Sequence, residues 1–268
     1  MKKTYLLVLM SLMMLLGACS DESEVSKAVA EDTTKLDEIK EEGKIVIATG
    51  NYYPFEYLDS DSNELVGYDI DLGNRIGEHL GVEVEWKEMQ FQALIPSIQN
   101  DQVDLVIAAM YITDERKEVV DFANPYLSTG MVLVRHKTDD TVQTTADLSG
   151  KKVGVKAGAT SEQAAQKLKD EGLDIEIVSY KETVDYLMDL ELGRIDVAIN
   201  DYLNQLGYFE SYPDSKLQIT GDPFTESNLG MAVEKGETAL IDAINEVLVE
   251  MESNGEKQAL FDKWIDKK

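Results

Sequence analysis

The order of apolar and amphipathic segments predicts an α/β protein of two related lobes, each a mainly parallel sheet flanked by helices. Two observations carry this prediction. A strand–helix–strand–helix–strand run occurs twice along the chain. Each run also reaches a matching phrase in which an Asp stands at the mouth of an apolar strand, Val103-Asp104-Leu105-Val106-Ile107-Ala108 and Ile195-Asp196-Val197-Ala198-Ile199.

The elements follow in order. A short helix begins near Leu36 and ends at Gly43, a residue suited to the left-handed C-cap. Lys44-Ile-Val-Ile-Ala-Thr49-Gly50 is a short apolar run ending in Gly and reads as a buried strand; Lys151-Lys-Val-Gly-Val-Lys156-Ala157-Gly158 repeats its shape. An amphipathic helix follows each, over 69–80 and 160–171, then a second strand, over 82–86 and 174–178. The tail adds a strand over 228–233 and helices over 238–253 and 257–265.

The N-terminus is a different kind of segment. Met1-Lys2-Lys3 precedes an apolar stretch, 5–16, that is shorter than the ~20 residues a spanning helix needs and fits the core of a secretory leader. Leu16-Gly17-Ala18-Cys19 then resembles the lipobox of bacterial lipoproteins, in which the cysteine is acylated and becomes the new N-terminus. Cys19 is the only cysteine in the chain, so no internal disulfide forms and lipidation accounts for the lone thiol. Residues 19–35 are polar, acidic and free of aromatics, and read as a flexible tether.

Charge excludes whole classes of partner. The chain carries 25 basic and 52 acidic residues, a formal net charge of −27. Nucleic-acid binding rests on Lys and Arg contacts to phosphate, and attachment to anionic lipid needs basic clusters. A strongly negative surface favours a soluble monomer. His79 and His136 are isolated, without metal-ligand spacing, and neither a nucleophile–base arrangement nor a phosphate-binding glycine motif is present, so no metal or cofactor is expected.

Ligands of open α/β sheets sit beyond the carboxyl ends of the strands, here 50–53, 108–113, 158–161 and 200–202. The first end supplies Tyr52 as a ligand candidate, with Phe55 and Tyr57 as core and Asp69 or Asp71 set against a helix dipole. At the second, Thr113 is a good N-cap and Asp114 and Glu115 suit the first turn. Arg116 is out of place there. It either clamps an anion bidentately or lies at the surface beside Glu115 or Asp121. The third end, Gly158-Ala159-Thr160-Ser161, offers open backbone N–H groups at a helix start, or a plain cap by Thr160 or Ser161. At the fourth, Asp201 pairs with an ammonium or caps the helix from Tyr202. Together these ends supply donors for a carboxylate, an acid for an ammonium and aromatic walls, a zwitterion site split between two lobes.

From Lys44 onward the chain resembles the extracytoplasmic solute-binding proteins for polar amino acids that serve ABC importers. The resemblance rests on an ordered set of phrases: YPFEY, GYDIDL, FQALIPSI, VDLVIA, YITDERKEVVDFANPYL, DLSGKKVGVKAG and GRIDVAIND. It implies a type II periplasmic-binding-protein fold, with lobe 1 over 36–130 and 229–268, lobe 2 over 131–228, and 1–18 as the leader. It places Arg116 at the α-carboxylate, Thr160 beside it, Asp201 at the α-ammonium, and Tyr52 and Phe91 as an aromatic sandwich, and it adds Asn51, Ala109 and Ala159 to the ligand-binding set. Two positions depart from it: many members have Ser or Gly at Ala109 and Ser or Thr at Tyr111. The first loop is one residue short and lacks an Asp that favours cationic side chains. Crossing segments near 129–133 and 226–230, each with a Gly, act as the hinge. The implied partners are a small amino-acid-like ligand, a permease in the cytoplasmic membrane, and the membrane itself through the lipid, on the extracytoplasmic face of a single-membrane bacterium. The alternatives are a dehydratase-like enzyme, with Glu56 or Glu88 as acid or base and Glu56 at a lobe surface, and a sensor for a membrane receptor.

Overall fold

In the computed structural model, residues 33–266 are described. The leader, Cys19 and the tether up to residue 32 lie outside them. The first helix, Lys35–Glu42, opens on a capping box between Thr34 and Asp37 and stops at Gly43, which is left-handed at φ 72°. This is the N-cap and C-cap chemistry expected of a short helix.

Two five-stranded sheets form the body, and they share one plan. In the first, Glu83–Glu88, Lys44–Thr49 and Leu105–Val106 run parallel, followed by Ala232–Val233 and Asp121–Phe122. In the second, Glu176–Tyr180, Lys152–Lys156 and Val197–Asp201 run parallel, followed by Met131–His136 and Leu217–Thr220. The fourth strand is antiparallel to the third in both.

The matched Asp residues have a matched purpose. Asp104 accepts the Val46 N–H at 2.8 Å, and Asp196 accepts the Lys152 N–H at 2.7 Å. Each carboxylate thus satisfies a backbone donor at the start of the neighbouring strand, which would otherwise have no ladder partner. The apolar strands then need no polar side chain of their own to begin pairing.

The fourth strands connect the lobes. Met131–His136 continues directly from Leu127–Thr129, and Ala232–Val233 follows Ser227–Leu229 after two residues. The segments Leu127–Thr129 and Ser227–Leu229 pair antiparallel as a separate two-stranded ribbon. The expected single strand over 228–233 is therefore broken at Gly230 and Met231. The hinge glycines are also needed for a different reason than dihedral freedom. Neither Gly130 nor Gly230 has positive φ. A Cβ at Gly130 would lie 2.0 Å from the Thr225 carbonyl oxygen, and one at Gly230 would lie 2.6 Å from the Ile112 side chain. Close backbone approach, not dihedral freedom, requires glycine at both places.

Buried apolar residues of the sheets and of the helices over them form the core, among them Ile45, Ile47 and Leu105 with Leu72 and Ile76 in the first lobe, and Val153, Val155 and Ile199 with Leu187 in the second. As expected, Phe55 is buried, whereas Tyr57 is only half-buried.

Candidate functional site

The strand ends of the two sheets meet across a small cavity of about 30 Å³. Of the residues expected at the site, Tyr52, Phe91, Ala109, Tyr111, Ala159 and Thr160 line it, joined by Ala108, Met131, Lys156 and Ser161. Arg116 and Asp201 lie behind this wall. Asn51 turns its carbonyl toward Lys156 at 3.3 Å and borders a second cavity of about 210 Å³, which shares Tyr52 with the first.

Arg116 stands where the local chain dictates. Thr113 accepts the Arg116 N–H at 3.2 Å and caps the short helix Asp114–Lys117. The side chain is 5 % exposed, so the surface placement beside Glu115 or Asp121 does not hold. Nη1 donates to the Tyr111 carbonyl at 2.7 Å and to the Thr160 hydroxyl at 3.4 Å, and Nη2 donates to the Gly158 carbonyl at 3.3 Å. Among the described residues no carboxylate forms an ion pair with it. Burial pushes its pKa down to about 10, only partly offset by the charge of Glu115. A guanidinium held by neutral acceptors retains its full charge for an incoming anion.

The third strand end differs from the expected cap. Neither Thr160 nor Ser161 closes the helix Thr160–Asp170: its N-cap is Ala159, with no side-chain hydrogen bond. Ser161 instead accepts the Lys156 N–H at 3.1 Å, and the Gly158 N–H donates to Glu162 at 2.8 Å. At the fourth end, Asp201 is 2 % exposed. Its Oδ1 accepts the Asn204 N–H at 2.9 Å, so it does cap the following helix, Tyr202–Ser211. Its Oδ2 accepts the Tyr111 hydroxyl at 2.5 Å. Tyr111 thus spans the cleft, its carbonyl on Arg116 and its phenol on Asp201.

Three groups at the centre escaped sequence reasoning. Lys156, the last residue of its strand, is buried with Nζ 4.6 Å from the Tyr52 ring centroid and 5.6 Å from that of Phe91. Arg116 lies 5.3 Å from the same Phe91 ring. The aromatic pair is therefore faced by two cations of the chain itself. Burial pushes the Lys156 pKa down. A lysine directly following an apolar run at a strand end was the available signal. Asn200 is the second: its Oδ1 accepts from Tyr52 at 3.1 Å and from Tyr186 at 2.8 Å, so a first-lobe aromatic is tethered to the second lobe.

The third group is a buried carboxyl pair. Glu56 is fully buried, not at a lobe surface, because the turn at Tyr52 to Glu56 folds it inward: the Tyr52 N–H donates to the Glu56 carbonyl. It lies against Asp69, whose Oδ2 accepts the Ala109 N–H at 2.7 Å and the Tyr126 hydroxyl at 3.0 Å. Asp69 so does more than complement a dipole. It holds Ala109 at φ 44°, a left-handed conformation that costs a non-glycine residue energy. Both Glu56 oxygens and Asp69 Oδ1 find no ordinary donor. A proton carried by Glu56 and donated to Asp69 Oδ1 satisfies one Glu56 oxygen and Asp69 Oδ1, since two adjacent buried carboxylates do not both ionise. Burial drives the Asp69 pKa up to about 7 and raises that of Glu56 well above its ordinary range. Asp71, by contrast, faces outward to Lys263 and Trp264. Glu88 is exposed at its strand end, and neither Glu56 nor Glu88 lines the cavity.

A cleft between two α/β lobes, lined by aromatics and backed by a buried arginine and a buried aspartate, is the arrangement of a solute trap. Residues 45–267 match the bacterial extracellular solute-binding proteins, family 3, and the chain belongs to that family. It is 33 % identical to the L-cystine-binding protein TcyJ of Escherichia coli (strain K12), with 87 % of each chain covered. It is 34 % identical to the ABC transporter glutamine-binding protein GlnH of Bacillus subtilis (strain 168), covering 99 % of this chain and 98 % of that one. Among solved structures, the P235GK mutant of ArgBP from T. maritima superposes with a TM-score of 0.81 at 34 % identity, covering 87 % of this chain and 99 % of that one.

Proposed function

We propose that this protein captures an amino acid or a similar small zwitterion between its lobes and delivers it to an ABC importer, working as a binding protein and not as an enzyme. The observation that carries the reading is Arg116: a buried guanidinium held only by neutral acceptors of both lobes, placed to receive a carboxylate together with the Thr160 hydroxyl. Asp201 supplies the opposite charge across the cleft, and Tyr52 and Phe91 supply the walls. Neither acid of the enzymatic alternative, Glu56 or Glu88, lines the cavity.

Closure follows from the ligand bridging the two lobes: contacts made only in the closed form shift the equilibrium toward it, and the ribbon of Leu127–Thr129 and Ser227–Leu229 is where the lobes pivot. The lobes divide at 36–130 with 229–268 and at 131–228. Leader cleavage before Cys19 and lipidation of that residue hold a monomer outside the cytoplasmic membrane, beside its permease. Differential scanning fluorimetry against the amino acids tests this reading. A ligand at 100 times its Kd adds about 2.7 kcal/mol of stability, and a protein that no amino acid or derivative stabilises does not have this function.

A further inference from the structure

We infer that Tyr111 is a specificity-determining residue, one that masks Asp201 and turns the site toward α-carboxylates whose nitrogen carries alkyl groups in place of some of its N–H bonds. This rests on the amino-acid reading above and narrows it to N-substituted amino acids.

The argument begins with acceptors. Both oxygens of Asp201 are already engaged by the chain, Oδ2 by the Tyr111 hydroxyl at 2.5 Å and Oδ1 by the Asn204 N–H at 2.9 Å. Asp201 does not line the cavity, whereas Tyr111 does. A solute nitrogen therefore meets the phenol oxygen first. That oxygen has given its hydrogen to Asp201 and offers lone-pair capacity only. It is one neutral acceptor in the place where a smaller Ser or Thr side chain would leave the carboxylate open.

A primary ammonium carries three N–H donors, and each one left unpaired in a desolvated site costs binding energy. Alkylation removes donors that the wall cannot satisfy and presents CH surface to Tyr52, Phe91, Ala109 and Met131. The Asp201 charge remains behind the phenol, close enough to favour a cationic nitrogen without bonding each N–H directly. Tyr111 is also fixed from its other end, since its carbonyl accepts from Arg116 at 2.7 Å. Swinging the ring aside to expose Asp201 would therefore disturb the group that receives the carboxylate.

Matched pairs of compounds test this: glycine against N-methylglycine and N,N-dimethylglycine, L-alanine against N-methyl-L-alanine, and L-glutamine against Nα-methyl-L-glutamine. Each is titrated calorimetrically into the wild-type protein and into Tyr111→Thr. In the wild type, the N-methylated member of each pair that binds is tighter by tenfold or more. Tyr111→Thr uncovers Asp201 and moves that ratio at least tenfold toward the parent amine. The wild-type ratio needs no variant, so it decides the matter even if Tyr111→Thr does not fold. A wild type that prefers the primary amine, or a ratio unmoved by Tyr111→Thr, overturns the role of Tyr111 and leaves the amino-acid reading standing. A folded wild type that binds neither these compounds nor any of the twenty amino acids overturns the amino-acid reading itself, and this inference with it.

Discussion

The two lobes have the same sheet order and the same Asp at the mouth of the third strand, yet they bring different charged groups to the cleft. The first lobe contributes Arg116 and a carboxyl pair, Glu56 and Asp69, buried beneath a loop of aromatics. The second contributes Asp201, Lys156 and an open helix N-terminus at Ala159. Each lobe thus carries a cation and an acid, and in each the group set toward the solute is held by the other lobe: Arg116 by Gly158 and Thr160, Asp201 by Tyr111. A duplicated scaffold specifies where strand ends fall. It does not specify their charge, which is free to differ because ladder pairing uses backbone groups and leaves the side chains open, as at Lys156 and Asp201, which both pair within their sheet.

The comparison is sharpest at its two charged anchors. Arg116→Ala removes a charge-assisted, bidentate donor and should weaken solute binding about a hundredfold, whereas Asp201→Asn, already shielded by Tyr111, should weaken it about tenfold. Calorimetric affinities that place Asp201→Asn above Arg116→Ala would show the lobes to have the reverse weighting. Next come the hinge glycines. Gly130→Ala drives a methyl into a backbone carbonyl and should cost about 2–3 kcal/mol, while Gly230→Ala meets side chains that can shift and should cost about 1 kcal/mol, read from urea denaturation. Equal costs would argue that the two crossing segments are equally compliant.

The matched Asp residues allow a finer test. Asp104→Ala orphans a part-buried strand N–H and should cost about 1–2 kcal/mol; Asp196→Ala, at a more solvated mouth, should cost under about 1 kcal/mol. Stability curves that reverse this order would mean that the second lobe depends more on its Asp. The smallest effect concerns pH. Because burial raises the Asp69 pKa from its ordinary 3.8 to about 7, the native state holds a proton that the unfolded chain has lost. The associated stability is fully present below about pH 4 and fades as pH rises through about 7. Glu56→Gln supplies a permanent N–H to Asp69 Oδ1 and should flatten this slope. Melting temperatures that track the wild type in parallel between pH 4 and 7 would place the proton elsewhere.

Much of this was legible in the chain itself. Short apolar runs and period-3.6 patterns located the helices and most strands to within a few residues, and the repeated Asp phrase exposed the two-lobe plan, because ladder geometry and capping act over a few residues. Local signals misjudged the cap at Thr160, because Ser161 was drawn to the Lys156 N–H, and misplaced Glu56, because nothing in YPFEY shows which face of the loop turns inward. Lys156 was read as part of a strand because its neighbours are apolar, and its burial against Tyr52 and Phe91 depends on residues more than sixty positions away.

The sequence by itself therefore determined the family plan, the strand ends where a solute would sit, and the presence of Arg116, Tyr111 and Asp201 among them. Only the tertiary structure decided how those groups are used: that Arg116 is buried without a carboxylate, that Glu56 and Asp69 share a buried site, and that the Tyr111 phenol reaches Asp201 across the cleft. The reason is physical. Propensity and capping are settled by near neighbours, whereas burial, charge pairing and the sharing of a proton are settled by whatever the other lobe brings within about 3 Å, the reach of a hydrogen bond.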